Sequence, residues 1–409
     1  MLLLWKQSSF RLYWLGLFLS GLGDQFGWLA LSWFVMKKTG SPLAMGGVVF
    51  TYFLSQVTAA LVAGVLLDRF DRRKLIIVDN LLRGMIYIII VLLLQTNAPL
   101  WMLYACITIA GLLAPLSNTG AQTMLPRLVP DKDLLLKANG IMETNWQIAY
   151  LLGPAAAGVL VSWVGEAMVL IIDAVSFFLC AICFWYLPSD HDKEEVKERK
   201  KESKWISSLF DSLQADFQTG FRYLFSKPLL LLLILFTFLF NMAYGPIEVG
   251  LPLYVTIVLA DEATSLGLLW MAFAIGSLGG SLFFSVVNWR VPTGYTLAMI
   301  IVLWGVTTLP LGLFHRLDLG MISMALAGMT FAPFGVLYRT YLQRQVPQEL
   351  MGRVLTSIRT ITGLGLPVGS FLTGWLIPLM GISQLFLAAA LFCMATGAFA
   401  MLALRGIRP

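Results

Sequence analysis

Long apolar runs follow one another along most of the chain, separated by short polar segments. A helix needs about 20 apolar residues to cross the hydrocarbon core of a bilayer. Twelve runs reach that length, and we expect each of them to form one transmembrane helix. They lie at 9–36, 44–67, 75–95, 100–125, 134–162, 167–187, 229–257, 263–287, 292–313, 319–342, 351–379 and 382–404.

The composition also indicates an integral membrane protein. Of the 409 residues, 58% are hydrophobic and 12% are charged, which is too apolar for a soluble globular protein. The net charge of +6 comes from bases spread through short loops, so we expect no nucleic-acid partner. The first apolar stretch is too long for a cleavable signal, and we expect it to remain as the first span.

Basic residues set the topology. The loop Gly64–Lys74, GVLLDRFDRRK, carries four bases in eleven residues, and so short and basic a loop between two spans lies on the cytoplasmic side. The predicted outer loops hold Lys37, Lys38 and Arg316, whereas most other bases fall at or near the inner face. This asymmetry predicts that both termini are cytoplasmic.

One long polar segment divides the chain. Its first part, DHDKEEVKERKKESK, is a mixed-charge run, and apolar residues then recur at helical spacing over 206–224. We expect that second part to lie along the cytoplasmic membrane surface as an amphipathic helix. The predicted domains are therefore a six-helix bundle at 1–188, a linker at 189–228 and a second six-helix bundle at 229–409.

The two halves repeat a pattern. RLVPDKDLLLKANG, which enters span 5, recurs in outline as RQVPQELMGRVLTS before span 11. Each is followed by a stretch rich in Gly and Pro, at 151–158 and 364–374. Corresponding elements in the same order predict a parallel repeat about an axis normal to the membrane. The expected fold is an all-α membrane protein of twelve transmembrane helices in two pseudo-symmetric six-helix bundles.

Charges inside spans mark candidate functional residues, because each costs about 3 kcal/mol to insert unless it is paired or faces water. Asp24 lies near the middle of span 1, within SGLGDQFGWLA. Two roles fit it equally: exchange of protons between the two sides, or a structural bond to a neighbouring helix. Asp79 and Arg83 lie four residues apart on span 3, where their spacing predicts a local ion pair.

Spans 5 and 11 carry further candidate functional residues. Glu143 lies in ANGIMETNWQIAY beside Asn145 and Trp146, a stretch too polar to face lipid, so we expect it to line a cavity and Glu143 to carry protons. Arg359 lies at a comparable depth in span 11. It either pairs with Glu143 across a cytoplasmic gate or offers a positive charge to an anionic substrate.

Span 7 reads FTFLFNMAYGPIEVGLPLYV. Asn241, Tyr244 and Glu248, with the neighbouring aromatics, suit a bulky amphipathic or cationic substrate. Ordinary lipid-facing aromatics account for about half of this stretch. The four cysteines lie inside apolar runs, where packing explains them, and the chain shows no nucleotide, metal or cofactor motif.

The loop after span 2 resembles a motif of major facilitator transporters, and Asp71, where that family usually carries glycine, narrows the likeness to the branch of macrolide efflux and siderophore export proteins. The resemblance implies a conformational switch that holds the cytoplasmic halves together. Its residues are Gly64, Asp68, Arg69, Arg72 and Arg73, with Asp79 and Arg83 nearby. Gly153, Pro154 and Gly158 resemble a shortened antiporter motif, although a simple helix bend explains them equally well.

The resemblance implies a monomeric secondary transporter in a bacterial inner membrane that exports amphipathic drugs, such as macrolides, in exchange for protons. It would be a transporter and not an enzyme, and it would need no cofactor. Two alternatives stay open: an exporter or flippase of a siderophore or lysophospholipid, and a membrane sensor that does not transport.

Overall fold

The computed structural model describes residues 2–96, 98–188, 218–287 and 291–404, and within these ranges it is helical with no strand. The helices are α1 (Leu2–Lys6), α2 (Ser8–Thr39), α3 (Pro42–Arg69), α4 (Arg72–Gln95), α5 (Leu100–Leu128), α6 (Lys132–Val164), α7 (Glu166–Trp185), α8 (Pro228–Leu253), α9 (Ala263–Val286), α10 (Thr293–Leu313), α11 (Leu317–Gln345), α12 (Met351–Gly363), α13 (Gly365–Met380) and α14 (Ile382–Ala403).

Eleven spans within the described residues are long and apolar enough to cross a membrane. The expectation of a multi-pass helical membrane protein is therefore confirmed. Helix α2 has 32 residues but is not among the eleven, because Asp24, Gln25 and several glycines dilute its apolar character. The count of twelve transmembrane helices stays a prediction.

Span 11 differs from the single run predicted at 351–379. It consists of α12 and α13, which meet at Leu364. Pro367 has no N–H to donate, and its ring crowds the carbonyl group four residues earlier, at Gly363. Glycines on both sides of Leu364 make the interruption inexpensive. A turn of π-helix at Tyr254–Val258 likewise extends α8.

The chain divides into two compact units. Unit 1 consists of residues 1–38 and 54–209, and unit 2 consists of 39–53 and 210–409. Helix α3 is thus shared, since its first residues belong to unit 2, where Gly46 packs against Ser370 and Gly374 of α13. The predicted pair of six-helix bundles is not tested by this division.

Unit 1 is built around α4, which packs along α5 and α7. At one end of the unit, the hydroxyl of Tyr13 on α2 donates a 2.8 Å hydrogen bond to the Ala121 carbonyl of α5. Buried apolar side chains, among them Ile76 and Phe184, fill the space around that bond. These contacts hold α2 against the face of α4 that carries the buried charges.

Unit 2 packs its helices closely in pairs: α9 with α11, α10 with α14, and α8 with α13. Glycines make this possible. A Cβ on Gly276 or Gly280 of α9 would overlap the backbone of α11, and one on Gly369 of α13 would overlap the backbone of α8 at Met242. Small residues that let helix backbones approach are the usual means of packing helices in a membrane.

The predicted amphipathic helix begins within 189–217, which lie outside the described residues. Its end is described as a helix at 218–225. There Leu224 is fully buried, the Tyr223 hydroxyl donates a 2.9 Å hydrogen bond to the Gln345 carbonyl, and Gly220 lies against Ser357 of α12. This end of the segment therefore packs on unit 2.

Candidate functional site

A cluster of charges lies inside unit 1. Helix α4 places Asp79 and Arg83 one turn apart, and the ion pair expected from this spacing is present, with Arg83 Nε 3.1 Å from Asp79 Oδ1. A second nitrogen of Arg83, Nη1, lies 3.1 Å from Asp24 Oδ1 on α2. One guanidinium group therefore bridges two carboxylates on two helices.

Exposure differs along this bridge. The side chains of Asp79 and Arg83 are 0% and 5% exposed, whereas that of Asp24 is 36% exposed. Asp24 is therefore the more accessible of the two carboxylates that share Arg83, and Asp79 is the buried one.

Polar side chains extend the cluster to α5. Ser117 donates a hydrogen bond to Asp79, and Asn80 donates one of 3.0 Å to Ser117. The guanidinium carbon of Arg83 also lies 4.2 Å from the ring centre of Phe177 on α7. Asp79 and Arg83 are thus held from several sides, so Asp24 is the member of the cluster with the most freedom to change partner.

Sequence reasoning missed one buried acid, Asp173 on α7, which is 0% exposed. Helix α2 lies directly against it, because a Cβ on Gly27 would overlap its carboxylate. The signal was available: Asp173 interrupts the apolar stretch LIIDAVSFF in the first half of span 6, and Asp24 likewise interrupts span 1. The cost of burying a charge in a span applies equally to both.

The basic loop stabilises unit 1 from within. Arg73 donates hydrogen bonds to the last carbonyls of α7, at Phe184 (2.9 Å) and Trp185. Arg72 donates to the carbonyl of Leu67 (3.3 Å). These contacts satisfy carbonyls that a helix end leaves without intrahelical partners.

The other residues of the predicted switch are placed as follows. Asp71 caps α4, where its Oδ1 accepts from the Lys74 amide at 3.3 Å. Gly64 is exposed, and Arg69 is partly exposed. The side chain of Asp68 lies outside the described part of the structure. The role of these residues in switching stays a prediction.

The predicted cavity residues of α6 face different ways. Glu143 is exposed and accepts a 3.1 Å hydrogen bond from Gln147, Trp146 is 52% exposed, and Asn145 is buried. Further along α6, Gly153, Pro154 and Gly158 are buried inside a continuous helix. A Cβ on Gly153 would lie 2.5 Å from Gln25 Cβ, so this glycine lets α6 approach α2 next to Asp24.

Helix α8 contributes three predicted residues. Tyr244 is partly exposed and stacks on Trp304, with ring centroids 5.6 Å apart. Asn241 donates a 2.8 Å hydrogen bond to the Thr362 carbonyl of α12, and Glu248 is buried. Arg359 of α12 is exposed.

Tyr244 belongs to an aromatic cluster in unit 2 that sequence reasoning did not assemble. Phe273 and Trp304 are 1% exposed, and Trp270 and Phe331 are partly exposed at its edge. Phe331 lies 5.7 Å from Tyr244 and 5.3 Å from Trp304 between ring centroids. Four helices, α8 to α11, contribute these rings, and aromatic residues within spans give no sequence signal of which neighbours they meet.

Ionisable residues inside membrane spans commonly mark the pathways of ions or substrates. The charge cluster of unit 1 is therefore typical of a membrane transporter. The sequence profile of the Major Facilitator Superfamily matches residues 13–365, and the chain belongs to that family. The resemblance in the loop after span 2 is thus confirmed. This family places the chain among transporters and not among enzymes.

Two named relatives refine the comparison. The chain is similar to the multidrug efflux pump Tap of Mycolicibacterium fortuitum, with 25% identity over 93% of this chain and 92% of the relative. It is also similar to macrolide efflux protein A of Streptococcus pyogenes, with 22% identity over 96% and 95% of the two chains.

Solved structures of transporters have a similar helical fold. The nucleoside transporter NupG superposes with a TM-score of 0.78 at 13% identity, over 98% of this chain and 99% of that one. A bacterial homologue of the lysosomal transporter Spinster gives 0.72 at 14% identity, over 98% and 97%. At such identities the likeness concerns the fold alone.

Proposed function

We propose that this protein exports amphipathic drugs, macrolides among them, in exchange for protons. The observation that carries the proposal is the bridge from Asp24 through Arg83 to Asp79. It joins an accessible carboxylate to a buried base within the spans. The similarity to a multidrug efflux pump and to a macrolide efflux protein supports the choice of substrate.

The coupling step follows from the charges of the bridge. When Asp24 is ionised it neutralises part of Arg83, and α2 is bound to α4. When Asp24 takes up a proton, that attraction is lost while Arg83 keeps Asp79. Protonation therefore changes how firmly α2 is held, which shifts the balance between inward-open and outward-open states. Glu143 remains a second proposed proton carrier.

Substrate recognition is assigned to the aromatic edge of unit 2. Tyr244, Trp270 and Phe331 offer flat apolar faces that also attract cations. Such surfaces bind large amphipathic molecules by contact area and need few directional bonds. Asn145, Trp146, Asn241, Glu248 and Arg359 complete the proposed set of substrate residues.

We also propose the arrangement of helices that the sequence predicts. Two six-helix bundles at 1–188 and 229–409, joined by the linker 189–228, alternate around the substrate in a bacterial inner membrane, with both termini in the cytoplasm. The switch loop stabilises one of the two states. The protein acts as a monomer.

An exporter of a siderophore or lysophospholipid is the second candidate, because the same aromatic edge accepts an acyl chain or a catecholate ring. A membrane sensor that does not transport, and whose residues 189–227 bind a partner, is a third candidate. It predicts that deleting part of the charged linker abolishes function while ligand binding persists.

Efflux from cells tests the substrate class. Cells expressing the protein are loaded with macrolides, lipophilic cationic dyes or a labelled lysophospholipid, and retention is followed with and without a protonophore. We expect protonophore-sensitive export of macrolides and dyes. Export of the lipid alone would favour the second candidate, and export of nothing would contradict the proposal.

A further inference from the structure

A third carboxylate lies beside the bridge and has no role in it. Asp173 on α7 is completely buried. Its Oδ1 is 3.3 Å from the Ser176 hydroxyl of the same helix, and its Oδ2 has no hydrogen-bond partner in the described part of the chain. A buried polar atom without a partner is rare enough in folded proteins to require an explanation.

The surroundings of Asp173 come from two neighbouring helices. Helix α2 contributes the bare backbone at Gly23 and Gly27, where a Cβ would overlap Ser176 and the Asp173 carboxylate. Helix α4 places the ring of Tyr87 against Gly27. The charged groups that act on Asp173 are Asp24 of α2 and Arg83 of α4; α6 also packs along α7 and adds no further charge among the described residues.

The charges in this space do not balance if every acid is ionised. Arg83 is already shared between Asp24 and Asp79, so an ionised Asp173 would add a negative charge without a base of its own. An ionised carboxylate buried without a base of its own is unfavourable, and such a group takes up a proton instead. The neutral acid also fits closely against the backbone of α2, which offers no positive charge there.

We propose that Asp173 is a second proton-binding residue, and that the cluster holds one proton on whichever of Asp24 and Asp173 lacks Arg83. With Arg83 on Asp24, as in this structure, the proton is on Asp173. When Asp24 takes a proton from water, Arg83 turns to Asp173, and Asp173 gives up its proton to water, so that one proton enters, one leaves and the total charge of the cluster is unchanged. Ionised Asp173 then lies against Gly27, so α2 shifts away from α7.

This inference rests on the proposed proton exchange, and infrared spectroscopy tests it without transport. Full-length protein in liposomes at neutral pH is compared with Asp173→Asn in the C=O stretch of protonated carboxylic acids, using exchange into D₂O for assignment. We expect the wild type to show one acid band that Asp173→Asn lacks. We also expect Asp24→Asn to lose that band, because Arg83 is then free to pair with Asp173.

Asp318→Asn is the matched control, since that carboxylate is 57% exposed and paired with Arg316, and it should leave the band unchanged. Equal acid bands in the wild type and in Asp173→Asn would overturn the proposal. Stability gives a second readout: Asp173→Asn should keep the thermal midpoint of the wild type, because an amide imitates the neutral acid. A large fall in the midpoint would show that Asp173 is ionised and paired instead.

The two proposals fail separately. If the wild-type protein shows no protonophore-sensitive efflux, proton exchange as the driving force is wrong, whereas the infrared comparison still decides whether Asp173 carries a proton.

Discussion

The charge cluster of unit 1 and the aromatic cluster of unit 2 solve the same problem by different means. Both place large side chains from several helices inside a protein that crosses a membrane. In unit 1 the helices are joined by ion pairs and hydrogen bonds, which depend on the protonation of a few atoms. In unit 2 they are joined by ring contacts, which do not respond to protons at all.

This difference suggests a division of work. On the proposed function, protonation of Asp24 breaks the Asp24–Arg83 pair, so we expect unit 1 to carry the coupling. The rings around Trp304 carry no ionisable carboxylate or base, and we expect Tyr244 and Phe331 at their edge to contact the substrate. If the comparison is right, mutations in the two clusters will have separable effects.

The largest effect is expected for Arg83→Ala. Removing the base leaves Asp24 and Asp79 without their partner, and breaking a buried pair in this way costs about 3 to 5 kcal/mol. We expect a much lower yield and thermal midpoint in detergent, together with loss of efflux. Arg316→Ala removes an exposed base and should change the midpoint little. Equal midpoints for the two variants would contradict the account of the cluster.

Trp304→Ala comes next. Its indole is 1% exposed and touches rings from three other helices, so truncation should cost about 3 kcal/mol. We expect the fraction of Trp304→Ala protein that folds to keep its proton coupling, because the charge cluster of unit 1 is unchanged. Trp163→Ala is the control, because that side chain is 80% exposed. If Trp304→Ala lost proton coupling while its substrate affinity stayed normal, the assignment of coupling to unit 1 and substrate binding to unit 2 would be contradicted.

Tyr244→Ala should have a smaller effect and a different signature. The ring lies at the edge of the cluster, where loss of a contact with an aromatic or cationic substrate costs about 1 kcal/mol. We expect the KM for dye efflux to rise about fivefold while protonophore sensitivity stays normal. Tyr295→Ala, on an exposed face of α10, should leave the KM unchanged. An unchanged KM in Tyr244→Ala as well would remove the aromatic edge from the substrate site.

Arg73→Ala should have the smallest effect on stability. It removes the two hydrogen bonds to the carbonyl end of α7, which are worth about 1 kcal/mol in total at a partly exposed helix end. Hydrogen exchange of the last turn of α7 should rise, with little change elsewhere. Lys74→Ala serves as the comparison. No increase in exchange would show that the end of α7 is held by packing alone.

Much of the helical membrane architecture was predictable, because an apolar run must be about 20 residues long to cross the bilayer as a helix. The orientation predicted from the basic loops stays a prediction. The break at Leu364 was not predicted, although Gly363, Gly365 and Pro367 lie close together in the sequence and could have indicated it. Helix α2, predicted as a span at 9–36, is a 32-residue helix that carries too many polar residues and glycines to be among the eleven most apolar spans.

The site was predictable by residue type and not by pairing. A charge inside a span is costly wherever it lies, so Asp24, Asp79 and Arg83 stood out, and the same rule should have selected Asp173. Helical spacing gave the bond between Asp79 and Arg83. It gave no information on the bond between Asp24 and Arg83, which are 59 residues apart and meet only because α2 packs on α4.

Asp24→Asn in proteoliposomes tests the central claim most directly. Drug movement driven by an imposed pH gradient is compared with drug exchange at equal pH, for wild type, Asp24→Asn and the control Asp318→Asn. The account predicts that Asp24→Asn keeps exchange but loses at least tenfold of the gradient-driven rate, whereas Asp318→Asn behaves as wild type. Gradient-driven transport of Asp24→Asn at the wild-type rate would contradict it.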